Sequence, residues 1–227
     1  MTVLQALQPL KIWYDALMPQ IGEVALLPVA SLESIGAFLD WGQPKELFLP
    51  FGEQTKALRV GEKVVVFIYL DNLQRPCASM KIEKHLSQSA QSLKEGQAVE
   101  LLIFQETDLG FKAVINGKSV GMLYRNEIFQ PLSIGSASVG YVKTIRPDGK
   151  MDLSLQPSGY GGIDVFIEKI IDALEQNGGY LEVTDQSSPE LISRLFGMSK
   201  KKYKMALGTL YKQQRVVLET KGIRLRK

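Results

Sequence analysis

The feature that most constrains this chain is a stretch that occurs twice. Ile35-Gly36-Ala37-Phe38-Leu39-Asp40-Trp41-Gly42, continuing to Leu47-Phe48-Leu49-Pro50, reads as a strand, a glycine turn and a returning strand. A related stretch returns 74 residues later, counting Gly36 to Gly110. It reads Leu109-Gly110-Phe111-Lys112-Ala113-Val114-Ile115-Asn116-Gly117 and continues to Gly121-Met122-Leu123-Tyr124. Alternation with a period of two marks half-buried strands. Two copies of one small β module, each of roughly 60–75 residues, are therefore expected.

Around the first copy, residues 23–32, 35–39, 47–50, 64–70 and 76–82 read as strands. Gly42-Gln43-Pro44 supplies a turn, Pro28 a bend, and residues 53–60 a short helical connection. Around the second, residues 99–105, 112–115, 120–124, 140–145 and 151–155 repeat the pattern. Arg146-Pro147-Asp148-Gly149 is a turn signal, and residues 128–131 take the place of the helical connection. Five short strands with one interposed helical turn is the profile of a small closed Greek-key barrel.

After residues 157–162 (Pro-Ser-Gly-Tyr-Gly-Gly), the apolar period changes to 3.6. Ile163, Phe166, Ile167, Ile170, Ile171 and Leu174 share one helical face, which Asn177-Gly178-Gly179 ends. Residues 180–183 read as a strand. Ser187 or Ser188 caps a second helix that Gly197 stops, and Ser199 caps a third whose core face is Tyr203, Ala206, Leu207 and Leu210. Residues 216–218 and 223–225 form a hairpin. Helix, strand, helix, helix, hairpin is the winged-helix order, with its second and third helices as the helix-turn-helix part. The expected fold class is a multidomain chain of β and α/β parts. A segment at 1–20 precedes two barrel domains at 21–86 and 94–157 and a winged-helix domain at 160–227. In the first segment Leu4, Leu7, Leu10, Trp13-Tyr14 and Leu17 approximate a helical face interrupted by Pro9.

The net charge of +3 hides an asymmetry. Residues 199–227 hold ten Lys and Arg residues against Glu219 alone, so this end carries +9 and the remainder −6. A basic end on an otherwise acidic chain points to a polyanionic partner, with a solvated tail as the alternative. Cys77 is the only cysteine, so no internal disulfide can form, which fits a reducing compartment. No apolar run is long enough to span a bilayer, and no secretory leader is read in the first twenty residues. One cysteine and one histidine make a metal site implausible, and no nucleotide-binding glycine loop is present. His85 is read as part of a Ser- and Gln-rich linker at residues 83–96, which leaves Cys77 without a base. No catalytic residue and no cofactor are therefore expected.

Binding is the better-supported chemistry. Aromatic rings on an open barrel face offer surfaces for unstacked bases, and adjacent cations attract phosphates. The candidates are Phe38, Trp41, Phe48 and Arg75 in the first module. In the second they are Lys112, Tyr124, Arg125, Arg146 and Lys150. Alternation also allows Phe38 and Phe48 to point inward. In the winged helix, Lys200, Lys201 and Lys204 lie off the apolar face and Arg224 and Arg226 alternate outward, a pattern suited to phosphate contact more than base readout. A protein-docking winged helix is the competing reading.

Gly36-Ala37-Phe38 with its glycine turn, Asp71-x-x-x-Arg75 and Ala78-Ser79-Met80 resemble the ribosomal-protein-S1-type RNA-binding domain, an OB-fold barrel. The whole chain from about Ile21 to Arg226 is similar to the conserved virulence factor B family of tandem S1 domains followed by a winged helix. The runs from Ile35 to Lys45 and from Gly197 to Lys201 carry that similarity. The S1 surface has two aromatics three apart, a histidine, and an acidic–basic pair four apart. Here Phe38 fits one aromatic position and Asp71 with Arg75 the pair, while Pro50 takes the histidine position. In the second module Leu109 and Lys112 take the aromatic positions, Tyr124 the histidine position, and Arg146 and Lys150 the pair. Family members often carry a further S1-like module in front, expected to be absent or reduced here. The resemblance implies a bacterial cytoplasmic protein that binds single-stranded RNA and influences gene expression after transcription. Duplex DNA or another protein is an alternative partner for the winged helix.

Overall fold

The computed structural model describes residues 18–86, 93–157 and 163–226. The helical face read in residues 4–17, the centre of the Ser/Gln linker and the boundary glycines lie outside the described residues. The chain divides into two compact units.

The first unit holds two closed five-stranded barrels. Barrel 1 comprises β1 (Val24–Glu33), β2 (Gly36–Leu39), β3 (Leu47–Pro50), β4 (Lys63–Leu70) and β5 (Pro76–Ser79), closed in the order β1-β2-β3-β5-β4. Barrel 2 comprises β6 (Ala98–Thr107), β7 (Gly110–Ile115), β8 (Ser119–Tyr124), β9 (Ala137–Ile145) and β10 (Met151–Ser154), closed in the equivalent order. Each long first strand shifts register once, between Val29 and Ser31 and between Ile103 and Gln105, irregularities of the kind that bend a strand around a barrel corner. Alternation does the rest. Ala37, Leu39, Leu47, Leu49, Val66, Ile68 and Ala78 fill barrel 1, and their neighbours face out.

Gly36 and Gly110 open the second strand of each barrel with φ of +156° and +147°. A Cβ on Gly36 would lie 2.5 Å from the Leu49 carbonyl oxygen, and one on Gly110 would come closer still to that of Leu123. The repeated glycine is thus the residue that lets two strands approach at the barrel rim.

The outer faces of the barrels meet in an apolar seam. Val24 and Val65 of barrel 1 and Leu102 and Val114 of barrel 2 are buried there together with Ile82. Ile82 arrives by a route that strand periodicity did not foresee. The strand expected over 76–82 ends at Ser79, whose hydroxyl bonds the Glu53 carboxylate and accepts from the Lys81 N–H at 3.0 Å. The chain then turns into a 3-10 helix, Ile82–Lys84. The helical connections also fall earlier than expected, at Phe51–Glu53 and Arg125–Glu127, each directly after the preceding strand.

The second unit contains α1 (Ile163–Gln176), β11 (Tyr180–Leu181), α2 (Pro189–Phe196), α3 (Lys200–Lys212), β12 (Val216–Leu218) and β13 (Ile223–Leu225). The strands form one sheet in the order β11-β13-β12. Ser188 Oγ accepts from Leu191 N at 3.2 Å and starts α2, and Gly197 in the left-handed conformation ends it. Ser199 Oγ accepts from Lys202 N at 3.3 Å and starts α3. Phe166, Ile170, Leu174, Ile192, Phe196, Tyr203 and Leu210 form one core, the winged-helix arrangement. No described helix is long and apolar enough to cross a membrane.

Candidate nucleic-acid interface

In barrel 1, residues directly across neighbouring strands share a face, and register gives an outward row. Phe38 stands across from Phe48, Phe48 beside Cys77, and Cys77 across from Tyr69. The Phe38 and Phe48 rings are 5.2 Å apart and tilted by 36°. Both are half-buried while Ala37, Leu39, Leu47 and Leu49 are inside, so the inward alternative for the two rings does not hold.

The β4–β5 turn brings Asp71 and Arg75 together. The Asp71 carboxylate accepts from Leu73 N at 2.8 Å, Arg75 N at 2.9 Å and Arg75 Nε at 2.9 Å, and Arg75 Nη2 lies 2.8 Å away. These bonds, the Arg75 backbone first, hold the Asp71 carboxyl below its usual range. The Arg75 side chain stays largely exposed, with N–H groups still facing solvent. Cys77 is buried, and burial followed by the nearby Asp71 charge pushes its thiol up, which makes it a poor nucleophile.

Trp41 serves the β2–β3 loop. Its indole N–H donates to the Lys45 carbonyl at 2.7 Å and its ring packs on the barrel core. His85 is not a linker side chain. It stacks between Phe67 and Tyr69, at 4.7 and 5.0 Å between ring centres. The 3-10 turn that buries Ile82 also lays the imidazole on the outer aromatics of β4. Sequence reasoning also passed over Phe51, which is 57% exposed beside the Lys81 and Lys84 contacts to Gly52 and Glu53. A ring directly after a strand-ending proline was the available signal.

Barrel 2 has the same row with different chemistry. Lys112 stands across from Met122, Met122 beside Asp152, and Asp152 across from Thr144. Arg146 takes the place of Asp71, since Arg146 N donates to Lys150 O as Asp71 N does to Arg75 O, both at 2.9 Å. Where barrel 1 has rings, barrel 2 has an open cleft of about 450 Å³. Lys112, Tyr124, Arg146 and Lys150 all line it, so four of the five candidates of this module converge. Each cation has a carboxylate partner. Lys112 lies 2.6 Å from Glu83, Arg146 2.8 Å from Asp152 and Lys150 3.1 Å from Asp148. Arg146 also donates to the Tyr124 hydroxyl and sits 5.9 Å from that ring's centre. Arg125, the fifth candidate, lies 5.7 Å over Phe111 and pairs with Glu106 at 3.0 Å.

In the winged helix, Lys201, Lys204, Met205, Gly208, Tyr211 and Lys212 form an exposed stripe on α3 opposite its buried face. Lys200 Nζ donates to the Gln186 carbonyl at 3.3 Å, and Lys204 lies 3.5 Å from Asp185. Arg224 is held 2.6 Å from Glu219 and 4.7 Å over the Tyr180 ring. Arg226 is exposed at the end of β13. Among the described residues no group of three or more His, Cys, Asp or Glu side chains could hold a metal ion.

Residues 21–81 match the model of the S1 domain, and residues 168–225 match that of the CvfB-like winged helix domain. The chain carries both domains. The similarity to conserved virulence factor B extends over most of it. The protein of that name from Staphylococcus saprophyticus is 24% identical over 92% of this chain and 73% of its own length. That from Staphylococcus epidermidis is 24% identical over 85% of this chain and 67% of its own length. The uncharacterized protein YitL of Bacillus subtilis is 26% identical over 84% and 66%. Among solved structures, a multidomain protein with nucleic acid binding domains from Streptococcus pneumoniae aligns over 93% of this chain and 78% of its own, at 21% identity and a TM-score of 0.39. The matched S1 region contains the Phe38–Phe48 row and the Asp71–Arg75 turn, and the matched winged helix contains the stripe on α3.

Proposed function

We propose that this chain is a non-catalytic, cytoplasmic binder of single-stranded RNA that acts on gene expression after transcription. The observation that carries the reading is the Phe38–Phe48 ring pair on the outside of an S1 barrel, in a row that runs on to Cys77, whose thiol lies 3.9 Å from the carboxylate that holds Arg75. Rings placed outside a barrel contribute nothing to its core, and their flat faces suit unpaired bases, which stack at about 1–3 kcal/mol each. Arg75 meets the phosphate beside a stacked base. Lys112, Tyr124, Arg146 and Lys150 form the contact surface of the second barrel. Lys200, Lys201, Lys204, Arg224 and Arg226 add sequence-independent backbone contacts. The matched families are binding domains, which supports a role without bond chemistry.

The test is fluorescence anisotropy with an unstructured RNA oligomer, in competition with duplex DNA at one stated salt concentration. RNA is expected to bind more tightly, and the double substitution of Phe38 and Phe48 by Ala to weaken it. Preference for duplex DNA would move the function to the winged helix as a transcriptional regulator.

One observation favours a second reading of the winged helix as a protein-docking module. Met205, Tyr211, Val217 and Leu218 are exposed on α3 and β12, beside cations already engaged with Asp185 and Glu219. Nucleic-acid affinity unchanged by replacing Lys200, Lys201 and Lys204 with Ala would favour it.

A further inference from the structure

The cleft on barrel 2 is built differently from a surface for backbone phosphates. It opens because Lys112 and Met122 occupy the row positions that Phe38 and Phe48 hold in barrel 1. At about 450 Å³ it lies in the size range of small-ligand sites. Val120 and Met122 give it an apolar wall, on which the face of a ring can lie. Carboxylates line it as well as cations, and a carboxylate repels phosphate. Glu83, from the 3-10 turn that follows barrel 1, stands in this cleft 2.6 Å from Lys112, with both side chains about two-thirds shielded from solvent.

An ion pair of this kind offers a line of two acceptor positions on the carboxylate followed by a donor on the ammonium. Guanine presents the complement on its pairing edge: the 2-amino and N1–H donors, then the O6 acceptor. Uracil offers one donor between two acceptors. Cytosine and adenine offer one amino donor next to an acceptor nitrogen. Only guanine matches all three positions of the pair. Arg146, fixed by Asp152 and the Tyr124 hydroxyl, and Lys150 then remain for the ribose and phosphate of the same nucleotide.

We propose that this cleft binds one guanine base, read at its pairing edge by Glu83 and Lys112. The single-stranded RNA reading supplies the natural source of that base, and a free guanine nucleotide has the same edge.

The experiment uses the full chain and short uridine oligomers that carry one central guanosine, adenosine or inosine. The guanosine oligomer is expected to bind about tenfold more tightly than the adenosine one. Inosine, which lacks the 2-amino group, loses most of that advantage, and the 7-deaza analogue of guanine keeps it. Glu83→Gln removes the preference for guanosine over adenosine without weakening the binding of plain oligouridine, since it takes away a negative charge and leaves Lys112 in place. Equal binding of the guanosine and adenosine oligomers overturns the inference and leaves the RNA-binding reading standing. If no oligomer binds, that reading fails, and a separate titration decides the cleft. The Met122 methyl resonance is expected to move with 5′-GMP and not with 5′-AMP, and equal responses overturn the inference.

Discussion

Phe38 and Phe48 face each other across the β2–β3 ladder with their rings 5.2 Å apart on the outside of the barrel. Their contribution to folding is small because the core beneath them is complete without them. Phe38→Ala is expected to cost about 1–3 kcal/mol of single-stranded RNA affinity, with a urea midpoint close to that of the parent. Anisotropy and denaturation on the same samples check both halves. A large loss of stability with unchanged affinity would return the rings to a structural role.

Gly110 and Gly36 carry the opposite expectation. Alanine at either position forces a Cβ against a neighbouring strand's carbonyl oxygen in a conformation that L residues rarely adopt. Each substitution should destabilise its barrel by roughly 1–3 kcal/mol or more. Urea unfolding followed by tryptophan fluorescence for Gly36→Ala, near Trp41, and by circular dichroism for Gly110→Ala measures this.

His85 is the chain's single histidine. Burial, opposed by Glu53 and aided by Lys84, pushes its pKa below the ordinary 6.5. The unfolded chain therefore takes up the proton more readily than the folded one. Stability rises with pH across that window and is lost as pH falls from 6.5 toward the lower folded value. His85→Phe, which keeps a stacked ring between Phe67 and Tyr69, should flatten this part of the stability–pH curve. Thermal melts between neutral and mildly acidic pH, above the carboxylate range, test it.

Lys201 and Arg226 are exposed, and among the described residues neither forms an ion pair, whereas Arg224 is engaged by Glu219 and the Tyr180 ring. Replacing Lys201 or Arg226 with Ala should lower the dependence of log K on log salt by about 0.7 for each single-strand phosphate that the side chain no longer neutralises. Arg224→Ala should lower it less. Equal slopes for all variants and the parent would remove the winged helix from the interface.

The barrels were legible because alternation, turn glycines and β-branched runs are local signals, and the winged helix because Ser188, Gly197 and Ser199 mark its helix ends. The outer rows were only half legible. Period two says that Phe38 lies opposite in sense to Ala37 and Leu39, but the closure that makes Phe38 the outer set is a property of the whole barrel. The ion pairs that partner Lys112 and Arg146 were invisible, since Glu83 and Asp152 come from other elements, whereas Asp148 stands beside Lys150 in the turn itself. His85 was misread for the same reason. Its polar neighbours describe the segment, while Phe67 and Tyr69, which decide its environment, are more than a dozen residues away. The early end of β5 was missed because Ser79, bonded to Glu53 from a distant turn, takes the chain out of a continuing apolar pattern.

A shell closed upon itself needs nothing from the side chains that decorate its exterior. The two barrels share a rim glycine and inner aliphatics and differ outside, where one carries rings and the other ions. Exchange at Phe38, Phe48, Lys112 or Met122 would retune what each barrel holds and leave the architecture untouched, so barrels of one shape can serve different ligands.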